Sequence, residues 1–157
     1  MAQHYEVRYA ASPQDVKKYD TEKLREEFLI QDLMRPDSVK LVYTHYDRYI
    51  AGGAVPTSSV LKLEAIDPLK ADYFLERREL GIINVGGSGS VTVNGEIFQL
   101  AYKEALYVGR GNETVVFASD DASDPAKFYL NSTPAHKAYP TKKIGFEDAE
   151  VVEMGAL

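Results

Sequence analysis

The chain has no cysteine, no tryptophan and only three histidines in 157 residues. Without cysteine there is neither a disulfide framework nor thiolate chemistry, which suits a reducing cytoplasm. The histidines, His4, His45 and His136, are far apart. They offer no His-x-His pair, the spacing that aims two imidazoles to the same side of a strand. No apolar run approaches the ~20 residues that cross a bilayer. The opening stretch, MAQHYEVRYAAS, has no apolar core of signal-peptide length. Positive charge is outnumbered, with 18 Lys and Arg against 24 Asp and Glu, a net charge of -6. That balance argues against nucleic acid or an anionic membrane as the main partner. There is no internal repeat and no low-complexity tract.

What the chain has is a dense run of strands and tight turns between Tyr73 and Ser119. Gly81 to Val85 is apolar except for Asn84 and predicts a buried strand. Gly86-Gly87-Ser88-Gly89 permits a sharp change of direction. Asn94-Gly95 between two β-prone runs predicts a two-residue hairpin turn. It pairs Val93 with Glu96 and Val91 with Phe98, and places Val91, Phe98 and Leu100 on one face. Ala105 to Val108 and Thr114 to Ala118 are further strands. Short strands with Gly and Asn turns and no intervening helix predict an all-β fold, an antiparallel barrel or double-sheet jelly roll.

The flanks are less dense. Ser12-Pro13-Gln14-Asp15 predicts a short helix ending near Tyr19, and Thr21 predicts the cap of a second. That helix has an apolar stripe of Leu24, Phe28 and Leu29. Ser38 to His45, Arg48 to Ala51 and Ser58 to Ala65 read as strands, with Tyr46-Asp47 a turn and Gly52-Gly53 a bend. Asp120 to Pro125 is an acidic loop, better read as solvated than as a calcium site because it lacks EF-hand spacing. Ala126 to Ser132 is a strand. Thr133 onward is an extended, proline-punctuated tail. The organisation expected is a helical and extended arm over residues 1–37, a single β-barrel over 38–132 and an extended tail over 133–157.

The pattern resembles a cupin barrel. A cupin's first motif ends in Glu, six residues and Gly, a spacing shared by Glu79 and Gly86. Its second contains Pro-x-Gly, two residues and a His. Tyr107-Val108-Gly109 stands in for Pro-x-Gly here, and Asn112 stands where the His would be. Tyr73 and Leu75 fall, within about one residue, at the His-x-His positions. One carboxylate without imidazoles holds zinc or iron poorly, so no metal ligand is expected in this chain.

A closer resemblance lies in EFL (27–29), YFLERRELGIINVGG (73–87), ALYVGRG (105–111), VVFAS (115–119) and PAHKAYPTKK (134–143). These segments look like the N-terminal half of the 5-keto-4-deoxyuronate isomerase family. The resemblance implies conversion of 5-keto-4-deoxyuronate to 3-deoxy-D-glycero-2,5-hexodiulosonate in pectin and uronate breakdown. It also implies two-cupin chains that form hexamers and use zinc. Family chains are about twice this length, and their zinc ligands lie in a second cupin, beyond Leu157. The chain is therefore expected to be the first cupin of such an isomerase, cytoplasmic and homo-oligomeric, with no cofactor of its own. The alternative is a metal-free cupin that serves as an assembly module or a small-sugar binder.

Ketol isomerisation needs a base beside the carbon acid and a group that polarises the carbonyl. A uronate also needs a cation, ideally a guanidinium fork, for its carboxylate. The catalytic candidates are Glu76, Glu79 and His136. The substrate-binding candidates are Arg77, Arg78, Tyr139 and Lys142. The competing account of the Glu76-Arg77-Arg78-Glu79 run is a salt-bridge-laced segment facing another subunit. His4 reads as uninvolved, His45 as packed, and Lys142-Lys143 as a solvated pair.

Overall fold

A computed structural model describes residues 3–155; the outermost residues of the two predicted terminal segments, 1–2 and 156–157, lie outside them. Eleven strands form two sheets: β1 Gln3–Arg8, β2 Ser38–Thr44, β3 Ile50–Val55, β4 Leu61–Lys62, β5 Arg78–Asn84, β6 Gly89–Val93, β7 Glu96–Leu100, β8 Ala105–Val108, β9 Val115–Ser119, β10 Phe128–Pro134 and β11 Lys142–Ile144. One sheet has seven strands in the order β1-β2-β3-β10-β5-β8-β11; the other has four in the order β4-β9-β6-β7. Every pairing between these strands is antiparallel except β1 with β2. This is the double-sheet jelly-roll architecture that the strand and turn pattern predicts.

The inner faces of the two sheets fill the space between them. Phe117 and Phe128 are fully buried with ring centroids 5.4 Å apart, and Val91, Leu100, Leu106, Val108 and Leu130 pack around them. Such aromatic pairs add attraction beyond the area they bury. The hairpin forms as predicted: Val93 pairs with Glu96 and Val91 with Phe98, and Asn94 and Gly95 both take positive φ. The Asn94 side chain adds a role that the turn signal does not carry. Its Oδ1 accepts the backbone N–H groups of Glu113 and Thr114, each at 3.0 Å, and so ties the hairpin tip to the start of β9.

Several local expectations need correction. The first helix, α1, covers only Pro13–Val16, short of Tyr19. The second, α2, spans Thr21–Phe28 and is capped by Asp20 rather than Thr21, because the Asp20 carboxylate accepts the Lys23 N–H at 2.8 Å. The predicted stripe is exposed, with Leu24 and Phe28 on the helix and Leu29 just past its end. Gly52-Gly53 does not bend the chain; both lie inside β3. They are needed for close approach, since a Cβ on Gly53 would strike the Leu33 carbonyl and one on Gly52 would strike Leu41. Of the predicted strand Ser58 to Ala65, only Leu61–Lys62 is paired. Residues beyond the predicted barrel span also join the sheet: β1 adds to β2 on one side, and β11 pairs with β8 on the other.

Asn84, which interrupts an otherwise apolar strand, is fully buried. Its Nδ2 donates to the carbonyls of Gly87 and Leu100 at 2.8 and 2.9 Å. Its Oδ1 accepts the N–H groups of Gly86 and Lys127 at 3.1 and 3.3 Å. One amide thus organises the glycine-rich turn. Replacement of Asn84 by Leu strands those four backbone groups, so N84L should lower stability by roughly 2–4 kcal/mol, read as a lower midpoint in urea. At the sheet edge, Lys143 on β11 pairs with Glu104 at 2.8 Å. The Lys143 ammonium, helped by the Ala101 N–H, holds the Glu104 carboxyl below its ordinary range. A depressed carboxyl stabilises the fold above its unfolded pKa of about 4.3 and loses that contribution as pH falls through the folded value. The stability gap between the parent and Lys143→Met should therefore be open at neutral pH and close on acidification, as measured by urea unfolding at several pH values.

Candidate anion-binding cleft

The pleat of β5 decides where the candidate residues go. Successive side chains on a strand alternate between faces. Arg78, Leu80, Ile82 and Asn84 are buried on the core side, while Glu79 and Ile83 face outward. Neighbours in sequence, Arg78 and Glu79 are therefore on opposite faces of one sheet and cannot act on the same small molecule.

Arg78 is 5% exposed and has no carboxylate partner among the described residues. Its Nε donates to Ser132 Oγ at 3.1 Å, and its Nη2 donates to the carbonyls of Ser132 at 2.9 Å and Arg48 at 2.6 Å. The guanidinium thus bridges β5, β10 and the turn between β2 and β3. Burial pushes its pKa down to about 10, and the nearby Arg48 charge acts in the same direction. Its Nη1 makes no hydrogen bond among the described residues, and the side chain lines a cleft of about 150 Å³.

That cleft lies at one end of the filled core. Its walls are Tyr43, Leu69, Phe74 and Pro134, with Arg48, Arg77 and Arg78 as its charged groups. Arg77 is already engaged: it donates to the carbonyls of Leu69 and Lys70 and pairs with Glu76 at 3.2 Å. Glu76 in turn accepts the Asp72 N–H at 2.8 Å. Arg48 is exposed and makes no side-chain hydrogen bond or ion pair among the described residues. It occupies the second central position of a tight turn closed by the Tyr49 N–H on the Tyr46 carbonyl, where both Asp47 (φ 53°) and Arg48 (φ 55°) are left-handed. Arg48 also borders a wider, open hollow lined by His45, Tyr46, Tyr49 and Thr133.

The remaining candidates gather elsewhere or nowhere. Glu79 accepts the Tyr107 hydroxyl at 2.7 Å on the outer face. Burial and this bond to Glu79 push the Tyr107 phenol up to about 12, with Tyr139 adding to the effect. Lys142 sits opposite Tyr107 in the β8–β11 register. Glu79, Tyr139 and Lys142 therefore share one outer-face neighbourhood, away from the cleft. His136 is exposed in a bend, with no partner among the described residues. Tyr73 and Leu75, set against a His-x-His pair, lie in a turn before β5, and Leu75 packs into the core. Asn112 donates to the Gly109 carbonyl and accepts from Asn94, a loop role.

The carboxylate of the cupin-like motif, Glu79, thus points away from the barrel interior, and among the described residues no three His, Cys, Asp or Glu side chains converge. His45 stacks on Tyr9 at 4.6 Å. The residues present do not fit the zinc that the family resemblance implies. Arg48, Tyr43, Ser132 and Tyr107 were not among the sequence candidates. For the candidate Arg78 the face is readable: extending the alternation of Leu80 and Ile82 back two residues puts it on the core side.

The KduI/IolB family profile matches residues 29–157. The chain is 68% identical over 157 residues to a 4-deoxy-L-threo-5-hexosulose-uronate ketol-isomerase of Formosa agariphila, covering 100% of this chain and 56% of that protein. It is 57% identical to the enzyme of the same name from Bacteroides fragilis, with the same coverages. The chain therefore spans a little over half the length of the curated relatives it matches. Among solved structures, the Schizosaccharomyces pombe Cnp3 cupin domain is 14% identical, with a TM-score of 0.47 over 62% of this chain and 64% of that one. An RmlC-like cupin from Desulfovibrio desulfuricans is 15% identical, with a TM-score of 0.46 over 68% and 93%.

Arg78 reaches two strands and a turn because its guanidinium is a flat fork, a geometry that lysine's single ammonium cannot reproduce. Arg78→Lys should destabilise the fold by about 1–3 kcal/mol through the acceptors it leaves unmatched, measured as a shift of the denaturation midpoint at constant m-value.

Proposed function

Since the chain belongs to the KduI/IolB family, we propose that it forms the N-terminal part of a 4-deoxy-L-threo-5-hexosulose-uronate ketol-isomerase. The observation that carries this reading is 68% identity along the whole chain to a relative of that name. The reaction converts 5-keto-4-deoxyuronate to 3-deoxy-D-glycero-2,5-hexodiulosonate, in the cytoplasm and within a homo-oligomer, the hexamer that the resemblance implies.

The proton transfer needs a base and a carbonyl-polarising group at one reacting centre. The described residues do not assemble such a pair. Glu76 is held by Arg77 and the Asp72 N–H, Glu79 faces out against Tyr107, and His136 stands alone. We therefore assign the chemical step, and the zinc that the family resemblance implies, to residues outside those described. This part supplies a rigid jelly roll and positive charge at its rim. Its filled core and the uncovered apolar side of α2, at Leu24, Phe28 and Leu29, also favour a second reading, an assembly module that packs against other parts of the enzyme.

A chimera tests the first reading. The corresponding N-terminal 157 residues of the Formosa agariphila relative are replaced by this chain, and turnover of the hexosulose uronate is assayed. Turnover within about tenfold of the relative's own, a loss of no more than about 1.4 kcal/mol in transition-state stabilisation, is expected. A chimera that folds, assembles and binds zinc but shows no turnover would overturn the assignment.

A further inference from the structure

We propose that the cleft beneath the β2–β3 turn is a carboxylate-binding site for a sugar acid, in which Arg48 and the free edge of Arg78 hold the carboxylate. Three independent features converge on it. The first is the buried guanidinium. Arg78 is 5% exposed, with three hydrogen bonds to neutral acceptors from Nε and Nη2 and none from Nη1. A buried cation is expected to find a counter-charge, because neutral partners offset its desolvation only in part.

The second is Arg48. It contributes another uncompensated cation to the same cleft, in a chain whose net charge is -6. Acidic residues outnumber basic ones, yet no carboxylate pairs with either Arg48 or Arg78 among the described residues. Two guanidinium groups without a carboxylate partner in an acidic protein suit an anion from outside.

The third is backbone strain. Arg48 takes φ 55° in a turn whose preceding residue is also left-handed. Turns with positive φ at both central residues strongly favour Asn and Gly there. A long side chain kept where glycine would be less strained fits a use for the side chain itself. The apolar walls of Phe74 and Leu69 and the Tyr43 ring suit the body of a small ring or chain better than a bare inorganic ion. A volume of about 150 Å³ admits a carboxylate and its adjoining carbons, not a folded peptide segment.

The choice of a uronate as ligand rests on the ketol-isomerase reading; the anion site itself does not. The experiment is calorimetric titration of the purified chain with D-glucuronate, with D-glucose as its uncharged counterpart and inorganic phosphate as a non-carbon anion. Saturable glucuronate binding with a dissociation constant on the order of 1 mM is expected, weakening as salt rises. Glucose should give no saturable signal and phosphate a weaker one. Arg48→Gly relieves the left-handed turn and keeps the Arg48 carbonyl that Arg78 uses, so it should unfold at a midpoint equal to or above the parent's. Its glucuronate affinity should fall about 10- to 100-fold, the loss of one charge-assisted contact. No glucuronate binding up to about 20 mM, equal response to phosphate, or unchanged affinity in folded R48G would each overturn the proposal. Failure of the chimera with glucuronate binding intact would remove the isomerase reading and leave the carboxylate site standing.

Discussion

Strand β5 is the member on which both the core and the cleft depend. It lies between β10 and β8 in the seven-stranded sheet and places Leu80 and Ile82 in the core. Its buried face is polar at both ends: Arg78 at one and Asn84 at the other. Each polar end is clamped to backbone from distant parts of the chain. Asn84 gathers the glycine-rich turn, the end of β7 and the entry to β10, while Arg78 gathers β10 and the β2–β3 turn. An apolar middle with hydrogen-bonded polar ends fixes the register, because a slip of one residue would bury Glu79 and expose Arg78.

Much of the central fold was legible because its signals are local. The Asn94-Gly95 turn specifies its own hairpin, and alternation in β6 specifies which side faces in. The misread segments are those whose conformation is set by distant partners. Gly52-Gly53 resembles a bend, but these residues lack side chains because Leu41 and the Leu33 backbone press on a straight strand. Ser58 to Ala65 alternates as a strand should, yet only two residues find a partner. The strands β1 and β11 carry weak patterns of their own and exist because β2 and β8 offer open edges.

The site was legible as a run and illegible as a constellation. Glu76 to Glu79 stood out by charge, but four adjacent charges carry no information about faces until the start of the strand is known. With β5 beginning at Arg78, the run divides into a turn-bound pair, a buried cation and an outward carboxylate. Arg48 could not be chosen from sequence. Its importance comes from a turn thirty residues away in the chain whose carbonyl meets Arg78.

The two ends of β5 also allow the carboxylate site to be weighed against a purely structural account of Arg78. If the only task were to clamp neighbouring backbone, a neutral amide would do it, as Asn84 does with four hydrogen bonds and no charge to desolvate. Burying a guanidinium for the same task costs several kcal/mol more in lost hydration. Three neutral acceptors reduce that cost without removing it. The exposed Arg48 guanidinium adds a like-charge repulsion that water screens in part. The clamp uses the Nε and Nη2 donors of Arg78 and no side-chain atom of Arg48; an anion site uses the Nη1 edge and the Arg48 guanidinium that the clamp leaves over. The same comparison explains why the turn keeps Arg48 in a left-handed conformation that glycine would adopt with less strain. The barrel interior is closed by Phe117 and Phe128, so the rim is where this domain still has free charge to offer a ligand.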